Sequence, residues 1–152
     1  MKMLANLILV VFLLPVAGFA QDNPLDAFIE KYKDLPGFHF FDVNTNMMSD
    51  EPGKVINLKM LSFDEKENTG FKAGKLYDEF FETFDKSAYK GLVQIKSSGD
   101  NVEMMVKKAG EMLSEIIIAV NGETETVLIA ATGDITMKDL GKFSDLENCK
   151  GL

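Results

Sequence analysis

From Tyr89 to Thr132 the apolar residues recur with a period of two, and short turn signals interrupt them three times. A period of two is that of an extended strand, whose side chains point alternately to opposite faces. Connections of two or three residues can only join antiparallel neighbours. This half of the chain is therefore confined to a meander of four strands over residues 89–97, 101–109, 112–120 and 124–132. The turns fall at Ser98-Gly99-Asp100, Gly110-Glu111 and Asn121-Gly122. Asn-Gly predicts a type I′ turn, since both residues tolerate positive φ. Ile116-Ile117-Ile118-Ala119-Val120 and Val127-Leu128-Ile129-Ala130-Ala131 are apolar on both faces, so those two strands need cover on both sides. Either helices of this chain supply it, or the second face meets another subunit or a partner.

The first half predicts helices and strands in turn. Asn23-Pro24 opens a helix with a capping residue and a proline in the first turn. Leu25, Phe28, Ile29 and Tyr32 follow at helical spacing, and Leu35-Pro36-Gly37 ends it. A strand is expected over residues 38–43, then a polar, turn-rich stretch over residues 44–53. Residues 54–63 read as a second strand, with Ile56, Leu58 and Met60 on one face and Asn57 and Lys59 on the other. Residues 64–70 form a charged, mobile loop. Ala73, Leu76, Tyr77, Phe80, Phe81 and Phe84 then mark the clearest amphipathic helix. After the meander, Thr136-Met137-Lys138-Asp139 resembles a capping box that opens a short helix carrying Leu140 and Phe143. The expected fold is α+β, a mainly antiparallel sheet of about six strands with helices packed on it, in the order α-β-β-α-β-β-β-β-α.

Residues 1–20 read as a cleavable signal peptide. Lys2 gives the positive start, the apolar run from Leu4 to Leu14 is too short to span a bilayer, and Gly18-Phe19-Ala20 sets small residues at a cleavage site after Ala20. Residues 21–152 are then one globular domain, secreted or periplasmic. No cysteine follows the apolar run, so no lipid anchor is expected, and no second apolar stretch is long enough to span a membrane. Cys149 is the single cysteine, so no intrachain disulfide can form and the core must hold itself together. Near a chain end, Cys149 reads better as an incidental thiol than as a bridge between copies.

The charge balance excludes further classes. The net charge is −8, and all sixteen basic residues are lysines. Loss of residues 1–20 removes one lysine and no acid. Such a surface is repelled by phosphate backbones, and arginine, the preferred clamp for phosphates, is absent. No nucleic acid is expected as a partner. One His and one Cys are too few for a zinc or iron–sulfur site.

Five motifs invite chemistry, and each has a plainer explanation. Gly70-Phe71-Lys72-Ala73-Gly74-Lys75-Leu76 evokes a phosphate loop, but it is one residue short between the glycines and Leu76 stands where a hydroxyl would hold magnesium. Asp42, Asn44 and Asn46 match the first ligands of a calcium loop, yet Met47 and Gly53 replace its glycine and its bidentate glutamate. His39, within Phe38-His39-Phe40-Phe41, has no nucleophile elbow to serve. Carboxylate pairs abound, but Asp64, Glu65 and Glu67 read as a solvated loop, and Asp78, Glu79 and Glu82 as the polar side of a helix. Methionines 47, 48, 60, 104, 105 and 112 could suit copper(I), although filling a core explains them better. No catalytic, cofactor-binding or metal-binding residue is assigned, and no cofactor is expected.

Glu115-Ile116-Ile117-Ile118 before a hairpin, then an apolar strand ending in Thr132-Gly133-Asp134-Ile135 and leading to Leu140, resembles a family of small exported proteins of Bacteroidota, domain of unknown function 4252. The resemblance spans nearly all of residues 21–152. It implies a periplasmic or extracellular α+β domain and carries no catalytic residue. Some members are lipid-anchored, and this chain lacks the anchoring cysteine. The expected function is a non-enzymatic exported domain that binds an envelope protein or itself, or has an accessory role in the cell envelope. An apolar small-molecule or lipid carrier is the alternative, with its ligand held between the sheet and the helix of Phe80, Phe81 and Phe84. A hydrolase built on His39, an acid and a Ser or Thr is a weaker one.

Overall fold

The computed structural model describes residues 23–45, 54–68 and 70–145. The expected leader and its cleavage site, Asn46, Met47, Met48 and Cys149 lie outside them. The described chain runs α1 (Asp26–Tyr32), β1 (Phe38–Thr45), β2 (Ile56–Asp64), α2 (Ala73–Thr83), a 3-10 turn (Lys86–Ala88), β3 (Lys90–Lys96), β4 (Asn101–Ala109), β5 (Met112–Asn121), β6 (Glu125–Ile135) and α3 (Met137–Asp145). The six strands form one sheet in the order β1-β2-β6-β5-β4-β3, every neighbouring pair antiparallel. The predicted fold class and element order are those observed.

Local chemistry accounts for the ends of the elements. Asn23 starts α1 from outside it: its Oδ1 accepts the Leu25 N–H at 3.0 Å, and its Nδ2 donates to Asn57 Oδ1 at 3.0 Å. The helix thus begins two residues later than the Asn-Pro signal suggests, at Asp26. No capping side chain stands at Lys72. Glu65 serves instead, its Oε1 accepting the Ala73 N–H at 2.9 Å. That backbone N–H, followed by Lys72, holds the Glu65 carboxyl below its ordinary range. The charged segment after β2 is therefore tied down where the sequence suggested a mobile loop: Glu65 N–H also donates to the Thr124 carbonyl at 2.9 Å.

The hairpins sit where the turn signals place them, with one correction. Gly110 has φ +66°, the glycine-first arrangement of a two-residue type II′ hairpin. Neither Asn121 nor Gly122 has positive φ, so their turn is not type I′. Asn121 stays in the ladder opposite Thr126, which pushes the reversal onto the residues that follow, and Gly122 N–H closes on the Glu125 carbonyl at 2.7 Å.

The core is split by the sheet. On one face α1 and α2 press Leu25, Ile29, Tyr32, Leu76 and Phe80 onto Leu61, Ile117 and Leu128, all buried. Aromatic rings fill this layer: Phe71 meets Tyr32, Phe38 and Phe63, and Phe80 stacks on Phe84 at 4.9 Å. Lys59 and Asn57 share this face at its margin, where Lys59 pairs with Asp26 and Asp42. On the other face a smaller cluster of Ile56, Val106, Leu113, Ile116, Ala131 and Ile135 gathers with Leu140 of α3. The capping box that opens α3 is present: Thr136 Oγ1 accepts from Asp139 N–H at 3.2 Å, and Asp139 Oδ2 accepts from Thr136 N–H at 2.9 Å. Lys54 seals it from across the chain with a 2.8 Å ion pair to Asp139, both side chains almost fully buried.

Candidate functional site

Pairing register decides which side chains share a face, and here it aligns apolar residues across all six strands. One row runs Phe41, Met60, Ile129, Ile118, Met104, Val93. The next runs His39, Ser62, Val127, Val120, Val102, Ile95. Both rows lie on the face away from α1 and α2, beside the cluster that Leu140 joins and against which Ile118 and Met104 of the first row also pack. No residue in them is fully buried, and Phe41, Val93 and Ile95 are exposed by 50%, 41% and 54%. In both rows only His39 and Ser62 carry polar side chains. Soluble monomers rarely leave so continuous an apolar surface uncovered. Of the two ways to cover the doubly apolar strands, helices of this chain cover one face fully and the other only at the α3 end, among the described residues.

A second feature lies on the helical face, where α1 and α2 stop short of β4 and β3. Glu115 is 3% exposed. Its carboxylate accepts from the Tyr89 hydroxyl and, at 3.0 Å, from Lys107 Nζ. Burial first, and then the Glu115 carboxylate, push the Tyr89 phenol well above its ordinary range, so it stays a donor. On one side of Tyr89 a recess of about 320 Å³ is walled by Pro24, Phe28, Phe80, Phe84 and Ala88. On the other, a recess of about 420 Å³ lies against Leu92, Val93, Gln94 and Met105. The sequence offered a signal for this corner: Glu115 interrupts an apolar strand, and Lys107 pairs with it across the hairpin.

Lys72, Ala73 and Gly74 lead into the first turn of α2, with Phe71 packed in the core and Lys72 paired with Glu65 at 2.9 Å. Asp42 and Asn44 are strand residues, and both accept from Asn57 Nδ2 at 3.1 Å. His39 meets an acid, Glu67 Oε2 at 2.9 Å, on an exposed sheet edge with Ser62 opposite it in register. Neither recess is lined by these three. Of the methionines, Met105 is core, while Met60 and Met104 lie in the open row. No group of three or more His, Cys, Asp or Glu side chains is placed to hold a metal among the described residues. No described helix is long and apolar enough to cross a membrane.

No curated protein and no solved structure matches the chain. A family model does match, over residues 32–143, a span that holds all six strands, α2 and every residue of both open rows. The chain belongs to that family, described as Domain of unknown function (DUF4252).

Proposed function

We propose that this protein is an exported, non-catalytic binding domain whose contact surface is the open face of the sheet. Export rests on the tripartite leader of residues 1–20. Binding rests on one observation, the two apolar rows that cross all six strands and that the described residues leave only partly buried. Covering them removes apolar area from water, which is the main driving force of protein association. A photo-crosslinking side chain at position 129, introduced in expressing cells, is expected to yield protein adducts. The same probe at Glu82, exposed on α2, is expected to yield none. Adducts at neither position would overturn the proposal.

The recess beside Tyr89 favours a second reading, a carrier of small apolar molecules. Its volume of about 320 Å³ and its walls of Phe28, Phe80, Phe84 and Tyr89 fit the lower end of ligand sites. Solvent extraction of the purified protein followed by mass spectrometry tests it, and an empty extract would count against it.

A further inference from the structure

We infer that β3, the outer strand beside the recess of Leu92 and Met105, takes up an extended, acid-flanked segment of a partner protein as a further strand of the sheet. This contact lies at the sheet's edge and goes beyond the open face, on which it does not depend.

The backbone argues first. Among the described residues β3 pairs with β4 alone, so alternate N–H and C=O groups along it point out of the sheet. Edge strands are ordinarily blunted by charge along their length, by proline or by cover. Here the run Gly91-Leu92-Val93-Gln94-Ile95 carries neither charge nor proline, and all of β3 is exposed. Its register slips once, between Gly91 and Val93, and is regular from there to Lys96. That stretch offers a ladder of main-chain donors and acceptors to a strand laid against it.

Side chains argue next. The recess of about 420 Å³ lies along β3, with Tyr89, Leu92, Gln94 and Met105 among its walls. Alternate side chains of an added strand point to this face of the sheet, where the recess receives one of them. The acid that lines it, Glu103, is already bonded by Lys86 at 3.0 Å and by Gln94 Nε2 at 2.9 Å. What remains suits an apolar side chain.

Charge selects the flanks. Residues 86–109 hold five lysines and two acids, inside a chain of net charge −8. Lys90 and Lys96 stand exposed at the two ends of β3, and neither has an ion-pair partner among the described residues. At physiological ionic strength screening acts over about 8 Å, so these local charges outweigh the more distant acids. An acid at either end of the incoming segment meets an ammonium across the ladder. A second copy is disfavoured, because two β3 strands paired antiparallel about a two-fold axis set their Lys90 and Lys96 ends together, like charge on like.

The test is fluorescence anisotropy of labelled peptides added to protein purified after expression of the full 152-residue chain. The probe is a short peptide of alternating valine and threonine with a glutamate at each end, and its twin carries lysine there. The glutamate form is expected to bind about tenfold more tightly or better. Lys90→Glu combined with Lys96→Glu is expected to reverse that preference, with unchanged far-ultraviolet circular dichroism. The same charge change at Lys66 and Lys75, exposed elsewhere, is expected to leave it intact. Methylating alternate backbone nitrogens of the probe is expected to abolish binding in one phase and spare it in the other, since only one side of a strand faces β3. No binding of the glutamate probe at about 1 mM would overturn the inference. Equal behaviour of the two end forms or of the two methylated forms would do the same, as would a preference that survives the change at Lys90 and Lys96. Binding that fades as the protein is concentrated would overturn it too, by placing a second copy on the edge.

Discussion

Ile118 and Ile129 stand directly opposite one another on β5 and β6, both half-buried, while Ile117 and Leu128 beside them are fully buried on the other face. Adjacent residues of one strand thus divide between core and open surface. Ile117→Ala is expected to cost roughly 2–5 kcal/mol, the range for a cavity in a packed core. Ile118→Ala is expected to cost less than about half as much in dilute monomer, because less of its area leaves water on folding. Urea denaturation of both variants checks this, and equal costs would mean that the second face is covered.

The Lys54–Asp139 pair fastens α3 to the sheet. Burial alone would raise the Asp139 carboxyl, but Lys54 and the Thr136 hydrogen bonds hold it below the ordinary value of 3.8. A carboxylate lowered by folding stabilises fully above its unfolded value and loses that contribution as pH falls through its folded one. Wild type is therefore expected to lose stability progressively below about pH 4. Asp139→Ala strands the Lys54 ammonium and is expected to cost about 3–5 kcal/mol at neutral pH. It is also expected to flatten the acid limb of a stability–pH profile.

All three tyrosines are raised. Burial leads in each, reinforced by Glu79 at Tyr32, by nearby acids at Tyr77, which reaches about 12, and by Glu115 at Tyr89. A tyrosine raised by folding lends stability that is complete below its unfolded value near 10 and is lost as pH climbs through its folded one. An ultraviolet titration at ~295 nm is expected to stay flat near pH 10 and then rise in one cooperative step with unfolding. A gradual rise centred near pH 10 would contradict the buried placement.

Gly133 has φ +143°, and a Cβ there would lie 2.9 Å from the Val55 carbonyl. Gly133→Ala combines a strained backbone with that clash. It is expected to cost about 1–3 kcal/mol in thermal or urea unfolding.

Most of the fold was legible because its signals are local. The meander follows from a period of two and short turns, and α2 follows from its aromatic stripe. The capping box at Thr136 and Asp139 was readable from four residues. What could not be read is what depends on distant partners. Glu65 caps α2 from another segment, and the Asn121-Gly122 turn type was overridden by the Asn121–Thr126 pair. The open face was half legible: the doubly apolar strands posed the question, but only the cross-strand register joins Phe41, Met60 and Val93 into one row with them. The Tyr89–Glu115–Lys107 corner went unassigned because a lone acid in an apolar run says nothing of which hydroxyl reaches it.

The strand order also sets how this chain reaches its fold. β1 and β2 pair as sequence neighbours, and β3 through β6 form a run of sequential hairpins able to zip from nearby turns. They meet only where β2 lies along β6, at pairs such as Asp64 and Glu125 about sixty residues apart. That seam carries the largest loop-closure entropy of any pairing in the sheet. Until it closes, β6 is an unpaired edge with its apolar residues bare on both sides, so the time spent before closure is the interval in which newly made chains are most exposed to aggregation.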